Sequence, residues 1–182
     1  MKVGRGDLMV IYGGMFAGKT TELQSAMRRA VLGNKSAILF NHERDTRSGN
    51  GRVVSHEGVV CEAVSISDAR QILKRVDGFV WVGIDEAQFF GPEIIPVALE
   101  LRRMNKRVVV AGLNMDFAGR PFGPVPELIL HADIPMLKRA VCKICGEDAI
   151  YSQRLTDDMQ TTIVGGREKY EARCAFCFEP PP

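Results

Sequence analysis

The sequence predicts an α/β fold: a parallel sheet flanked by helices, followed by a small cysteine-bearing segment. Three observations carry this. Four short apolar runs lack the alternation of a half-exposed strand, so each reads as a strand buried on both faces. Segments with helical spacing lie between them, as a helix-covered parallel sheet requires. Four of the five cysteines sit near the C-terminal end, where helical pattern gives out.

Leu8–Tyr12 reads as the first strand, ending at Gly13-Gly14. Thr20 to Leu32 carries Leu23, Met27, Ala30 and Val31 near helical spacing, and Gly33-Asn34 stops it. Ala37–Phe40 is a second strand. Residues 42–58 are polar and glycine-bearing and predict a long loop or irregular hairpin. A helix is expected over Ser67–Val76, capped by Ser67. A strand over Phe79–Ile84 follows, then a helix over Pro92–Met104 with proline in its first turn. Arg107–Leu113 is the last strand of this pattern. A boundary near Lys138–Ala140 divides an expected α/β domain, 1–139, from a tail domain, 140–182.

Length and composition bound the function. One hundred and eighty-two residues, 46% hydrophobic and 25% charged, make a soluble globular chain and exclude disorder as its main state. A formal charge of +2 gives no general attraction to nucleic acid or membranes. No apolar run approaches the ~20 residues of a membrane span. A cytoplasmic protein is expected.

Gly13-Gly14-Met15-Phe16-Ala17-Gly18-Lys19-Thr20 has the spacing G-x-x-x-x-G-K-[ST] between a strand and a helix. Glycines let backbone N–H groups wrap phosphate oxygens, and the following helix adds its own N–H groups and positive dipole end. Lys19 supplies a point charge to the β- and γ-phosphates, and the Thr20 hydroxyl can ligate Mg²⁺. Asp85 ends an apolar strand at the sheet edge where open α/β folds bind ligands, and is the second candidate for Mg²⁺. Glu86 comes next. Neighbours leaving a strand diverge, so one carboxylate can serve the metal while the other takes a proton from an attacking hydroxyl.

Cys142-Lys-Ile-Cys145 and Cys174-Ala-Phe-Cys177 offer four thiolates for a closed, structural zinc site clamping the base of a 28-residue excursion. Zinc would supply folding free energy that so small a segment cannot draw from a core. Cys61 stands alone and reads as a small packed hydrophobe.

Taken together, the phosphate loop, Asp85-Glu86-Ala87-Gln88-Phe89-Phe90, Gly112-Leu113-Asn114-Met115-Asp116-Phe117 with Pro121-Phe122-Gly123, the cysteine pairs and Val164-Gly165-Gly166-Arg167-Glu168-Lys169-Tyr170 resemble the type II thymidine kinases, in that family's order. The resemblance implies a P-loop NTPase-like (RecA-like) sheet with a zinc-bound lasso domain. It implies phosphorylation of the thymidine 5′-hydroxyl by ATP with Mg²⁺, serving DNA synthesis. On it, Glu86 is the general base, and Lys19 and Arg47 offset charge at the transferred phosphoryl group. Gly13 to Thr20, Thr21, Asp85 and Gln88 lie on the ATP side. Met15, Asp45, Phe89, Leu113, Phe117 and Tyr170 enclose the nucleoside, with main chain of Thr161, Ile163, Val164 and Gly165 at the base. The resemblance further implies a homotetramer and feedback inhibition by thymidine triphosphate. The family commonly has proline at the place of Gly14, serine at Ala17 and aspartate at Asn114.

Two other readings stand beside it. One is a kinase for another deoxynucleoside, since pocket hydrogen bonds decide the base. The other is a nucleotide-dependent switch whose zinc tail grips nucleic acid. From Val141 onward, however, Lys and Arg at 143, 154, 167, 169 and 173 face Asp and Glu at 147, 148, 157, 158, 168, 171 and 179. That net acidity disfavours a phosphate-backbone partner.

Overall fold

The structure is a computed structural model that describes residues 6–44, 52–54, 60–156, 160 and 165–181. Its strands and helices follow in the order β1 (Asp7–Tyr12), α1 (Lys19–Leu32), β2 (Ala37–His42), β3 (Arg52–Val54), β4 (Val60–Ile66), α2 (Arg70–Leu73), β5 (Trp81–Ile84), α3 (Ile94–Arg103), β6 (Arg107–Gly112), α4 (Val125–His131), β7 (Ile134–Leu137), β8 (Ala140–Val141), β9 (Asp148–Ala149), β10 (Tyr151–Arg154) and β11 (Tyr170–Arg173). One sheet has the order β3-β4-β2-β5-β6-β1-β7. All its pairings are parallel except β3 with β4.

The unbroken apolar runs have a simple cause. In β1, β2 and β6 alternate residues serve opposite cores. Leu8, Val10, Ile38, Phe40, Val108 and Val110 face one core, shared with Ile94, Leu101 and Leu128 of α3 and α4. Ile11, Leu39, Val109 and Ala111 face the other, shared with Leu23, Met27 and Ala30 of α1. Period two is present, but both faces are dry, so hydropathy never alternates. The strands at the sheet centre therefore end together at one edge, where β1 hands over to the phosphate loop and β5 to Asp85.

Several expected elements differ in extent. Helix α2 spans Arg70–Leu73 rather than Ser67–Val76. Its flanks are turns bonded three residues back, such as Ile72 N–H to Ala69 O at 3.0 Å and Arg75 N–H to Ile72 O at 2.9 Å. Asp68, not Ser67, accepts the Arg70 N–H at 2.9 Å. A carboxylate bonds a turn N–H more strongly than a hydroxyl does. Strand β5 begins at Trp81, where the N–H groups of Val80 and Trp81 both reach Ser36 O at 3.0 Å, while Val80 O still accepts the Arg107 N–H at 2.9 Å. At the C-terminal end of β7 the chain enters two hairpins, β8–β9 and β10–β11. The Lys143 N–H donates to Ala172 O at 3.0 Å and joins the two. No helix among the described residues is long and apolar enough to cross a membrane.

Leu101 is fully buried on α3, far along the helix from the strand ends that carry the candidate site. Leu101→Ala is expected to cost about 2–5 kcal/mol, read from urea unfolding. A loss below about 1 kcal/mol would mean that the core refills the space.

Candidate nucleotide site

The loop after β1 turns inward through three residues with positive φ: Gly13 at 142°, Phe16 at 65° and Gly18 at 77°. Helix α1 begins at Lys19, with Gly18 as its N-cap. No side chain caps this end, which leaves its N–H groups to a ligand. The Lys19 ammonium donates to Gly14 O at 2.7 Å and so stays within the loop. A cavity of about 210 Å³ is lined by Met15, Phe16, Gly18, Lys19, Thr20, Thr21, Glu86 and Leu113.

The loop rests on the C-terminal segment. Ser152 Oγ accepts the Met15 N–H at 2.9 Å. Ala17 packs in a small core with Ala140, Cys142, Ala149, Ala172 and Cys174. A Cβ on Gly14 would lie 2.8 Å from Ile150 O, so glycine there admits a close backbone approach.

Asp85 and Glu86 leave β5 in different directions, as adjacent residues must. Asp85 is 5% exposed. It accepts the Glu86 N–H at 2.9 Å and a hydrogen bond from the Thr20 side chain. Burial, then the neighbouring Glu86 charge, pushes its carboxyl up to about 6 against the pull of those donors and Lys19. Thr20 and Asp85 thus form a hard oxygen pair beside the phosphate loop, a donor set that fits Mg²⁺. Glu86 has φ 52°, a left-handed conformation costly for a residue with a side chain. It turns the chain into a single 3₁₀ turn over Ala87–Phe89 and puts Glu86 on the cavity wall.

Other expected residues gather elsewhere. Gln88 is buried, outside the cavity lining, with its amide between Glu86 and the Leu113 N–H. Phe89 packs against His42 and Phe122 with ring centroids 6.0 and 6.4 Å away. Phe117 and Tyr170 are 9% and 6% exposed and meet at Arg154. The Arg154 guanidinium stacks over Phe117 at 3.5 Å from the ring centre and donates to Tyr170 Oη at 2.7 Å and to Gln160 O at 2.5 Å. Gly165 is half-buried and leads into the turn at 167–169. Asp45, Arg47, Thr161, Ile163, Val164 and the Cys61 side chain lie outside the described residues. Ser152 and Arg154 were not legible as site residues. Their types are ordinary for a strand, and only the fold brings them to the phosphate loop and the aromatic pair.

The four paired cysteines converge, with sulfurs all within 4.8 Å of one another. Cys145 and Cys174 sulfurs are 3.6 Å apart, near the ~3.8 Å that ~2.3 Å zinc–sulfur bonds impose on a tetrahedron. Burial pushes the Cys142 thiol up, but backbone N–H donors from Cys145, Cys174 and Ile144 outweigh it and leave it at about 6. Cys177 is pushed up to about 12, first by hydrogen bonding with Cys174. Four sulfurs this close cannot all ionise unless a cation stands among them, so the donor set fits a closed metal site.

A phosphate loop on a parallel sheet, an oxygen pair beside it and a separate carboxylate facing the same cavity define a P-loop nucleotide-binding protein. The thymidine kinase family model matches residues 6–178. Similar chains include the thymidine kinases of Coprothermobacter proteolyticus, 45% identical across 97% of this chain and 92% of that one, and of a Rhodothermus species, 40% identical across 97% and 83%. That of Deinococcus radiodurans is 38% identical across 92% and 87%. The chain belongs to the thymidine kinase family.

Asp85 generates a pH prediction. With its folded pKa near 6, above the ordinary 3.8, the native state holds more protons than the unfolded chain between those values. Stability from this group is therefore highest at low pH and falls as pH rises through 6. In metal-free protein at pH 8, Asp85→Asn is expected to stabilise by up to about 3 kcal/mol, with the gain fading toward pH 4. Parallel melting-against-pH curves for the two proteins would remove Asp85 as the cause.

Proposed function

We propose that the chain is an ATP-dependent thymidine kinase that moves the γ-phosphoryl group of ATP to the 5′-hydroxyl of thymidine, giving dTMP and ADP. The observation that carries this reading is one cavity lined both by Lys19, Thr20 and Thr21 of the phosphate-loop motif and by Glu86 and Leu113.

In this reading the loop N–H groups and the α1 N-terminus hold the β- and γ-phosphates, and Lys19 exchanges its bond to Gly14 O for phosphate oxygens. Thr20 and Asp85 would hold Mg²⁺, which supplies charge neutralisation between the phosphates. Glu86 takes the 5′-hydroxyl proton as that oxygen bonds to the γ-phosphorus, while the bond from phosphorus to the β-bridging oxygen breaks and ADP leaves. Arg47 offsets the developing charge, with Asp45 beside the sugar. Met15, Phe89, Leu113 and Phe117 offer apolar surface to the thymine, and Tyr170 and main chain of Thr161, Ile163, Val164 and Gly165 close over it. Arg154 supports this wall by fixing Phe117 and Tyr170 together.

The cysteine set would bind zinc and give the 140–182 lasso domain folding free energy beside the 1–139 nucleotide domain. Family membership also supports a homotetramer, feedback inhibition by thymidine triphosphate and a cytoplasmic location.

An ADP-release assay across the nucleosides, with and without Mg²⁺, tests the activity. Turnover greatest with thymidine and dependent on Mg²⁺ is expected; greater turnover with another nucleoside would reassign the substrate. Glu86→Gln should lower kcat about 10²–10⁴-fold with ATP binding retained. Metal analysis of protein purified without chelators should find about one zinc per chain, lost in Cys174→Ser. Finding no metal in the unaltered protein would refute the zinc site.

A further inference from the structure

We propose that Gln88 is a positioning residue that holds the Glu86 carboxylate in its reactive orientation and ties it to the pocket wall at Leu113. This rests on the reading of Glu86 as the base. Gln88 is 4% exposed, and its side chain does not line the cavity, yet both of its partners do. Its Nε2 donates to Glu86 Oε2. Its Oε1 accepts the Leu113 N–H at 3.0 Å.

The orientation of this amide is forced. Turned over, its NH₂ would meet the Leu113 N–H and its oxygen would meet a carboxylate, leaving two repulsive contacts in place of two bonds. The surroundings hold it there. Gln88 O lies 2.6 Å from where a Cβ on Gly123 would stand, and Gly123 has φ 54°, so the chain passes close over the Gln88 backbone. A Cβ on Gly112 would come within 3.1 Å of Gln88 Oε1. A single planar group therefore links the end of β6, through Leu113, to the carboxylate after β5.

Glu86 needs such a hold. Its side chain is long and starts from a left-handed backbone, so its direction is not set by strand geometry. A base must lie within hydrogen-bond reach of the proton it takes, and displacement of about 1 Å can lower rates about 10²-fold. Gln88 is expected on the ATP side, but its side chain is outside the cavity lining and hydrogen-bonded to Glu86 and Leu113. The proposed phosphate grip uses the loop, Lys19 and Thr20, so the effect belongs to turnover and not to nucleotide affinity.

The test crosses Gln88→Met with Glu86→Gln and measures kcat, the KM for thymidine, the Kd of a non-hydrolysable ATP analogue and the melting temperature. Gln88→Met should lower kcat about 10–100-fold with the analogue Kd within about twofold of the unaltered protein. The double variant should be no slower than Glu86→Gln alone, because Gln88 acts only through the carboxylate. A role in folding alone would lower the melting temperature and leave kcat per folded molecule unchanged. If Gln88→Met melts below the assay temperature, Gln88→Asn serves instead: it keeps a buried amide but is one methylene too short to meet both Glu86 and Leu113. The same loss of kcat is expected. Unaltered kcat in the readable variant, or a multiplied loss in the double variant, would overturn the inference while leaving Glu86 in place. Full turnover in Glu86→Gln would overturn the base assignment, and this inference with it.

Discussion

The phosphate loop is held from two sides, and the rest of the site takes its position from that grip. On one side it continues β1, a strand paired with β6 and β7 inside the sheet. On the other it lies on the cysteine segment, through the Met15–Ser152 hydrogen bond and the packing of Ala17. A loop rich in glycine has many alternatives to its bound shape, and each contact removes some of them before a ligand arrives. The same contacts explain how a tail with few large apolar residues stays docked. It shares its small core, Ala140, Cys142, Ala149, Ala172 and Cys174, with the loop it supports.

Two adjacent acids at the end of β5 meet opposite environments. Asp85 is dry and bonded to Thr20 and the following N–H, while Glu86 stands on the cavity wall. Burial makes the first a reluctant anion, suited to a partner of high positive charge. The left-handed backbone of Glu86 itself, just ahead of the 3₁₀ turn, achieves the divergence within one peptide unit. Strain there is compatible with a site whose geometry is imposed by packing on either side.

Much of this was legible because it depends on local spacing. The phosphate loop needs a strand before it and a helix after it, and β1 and α1 begin and end within a residue of where periodicity puts them. Cysteine spacing alone identified the four thiolates that converge. Elements set by tertiary contact were less visible. Strand β4 carries Glu62 and Ser65 and follows a polar, glycine-bearing sequence, so its pattern resembles a loop. Helix α4 is seven residues long with Pro126 in its first turn, too short for a clear period. Arg154 looks like a solvated strand residue until the fold brings Phe117 under it and Tyr170 beside it. Gln88 is visible as part of a motif, but its bond to Leu113 spans 25 positions and has no signature in either residue.

The close pass of Ile150 O over Gly14 limits which residue this chain can carry there. With no side chain at position 14, the main chain at 150 lies close in, and any side chain placed there would have to drive it outward. The constraint comes from the main chain at 150, whatever side chain that residue carries. A substitution at position 14 would therefore create a misfit at the seam between loop and tail, even with every ligand-binding side chain intact.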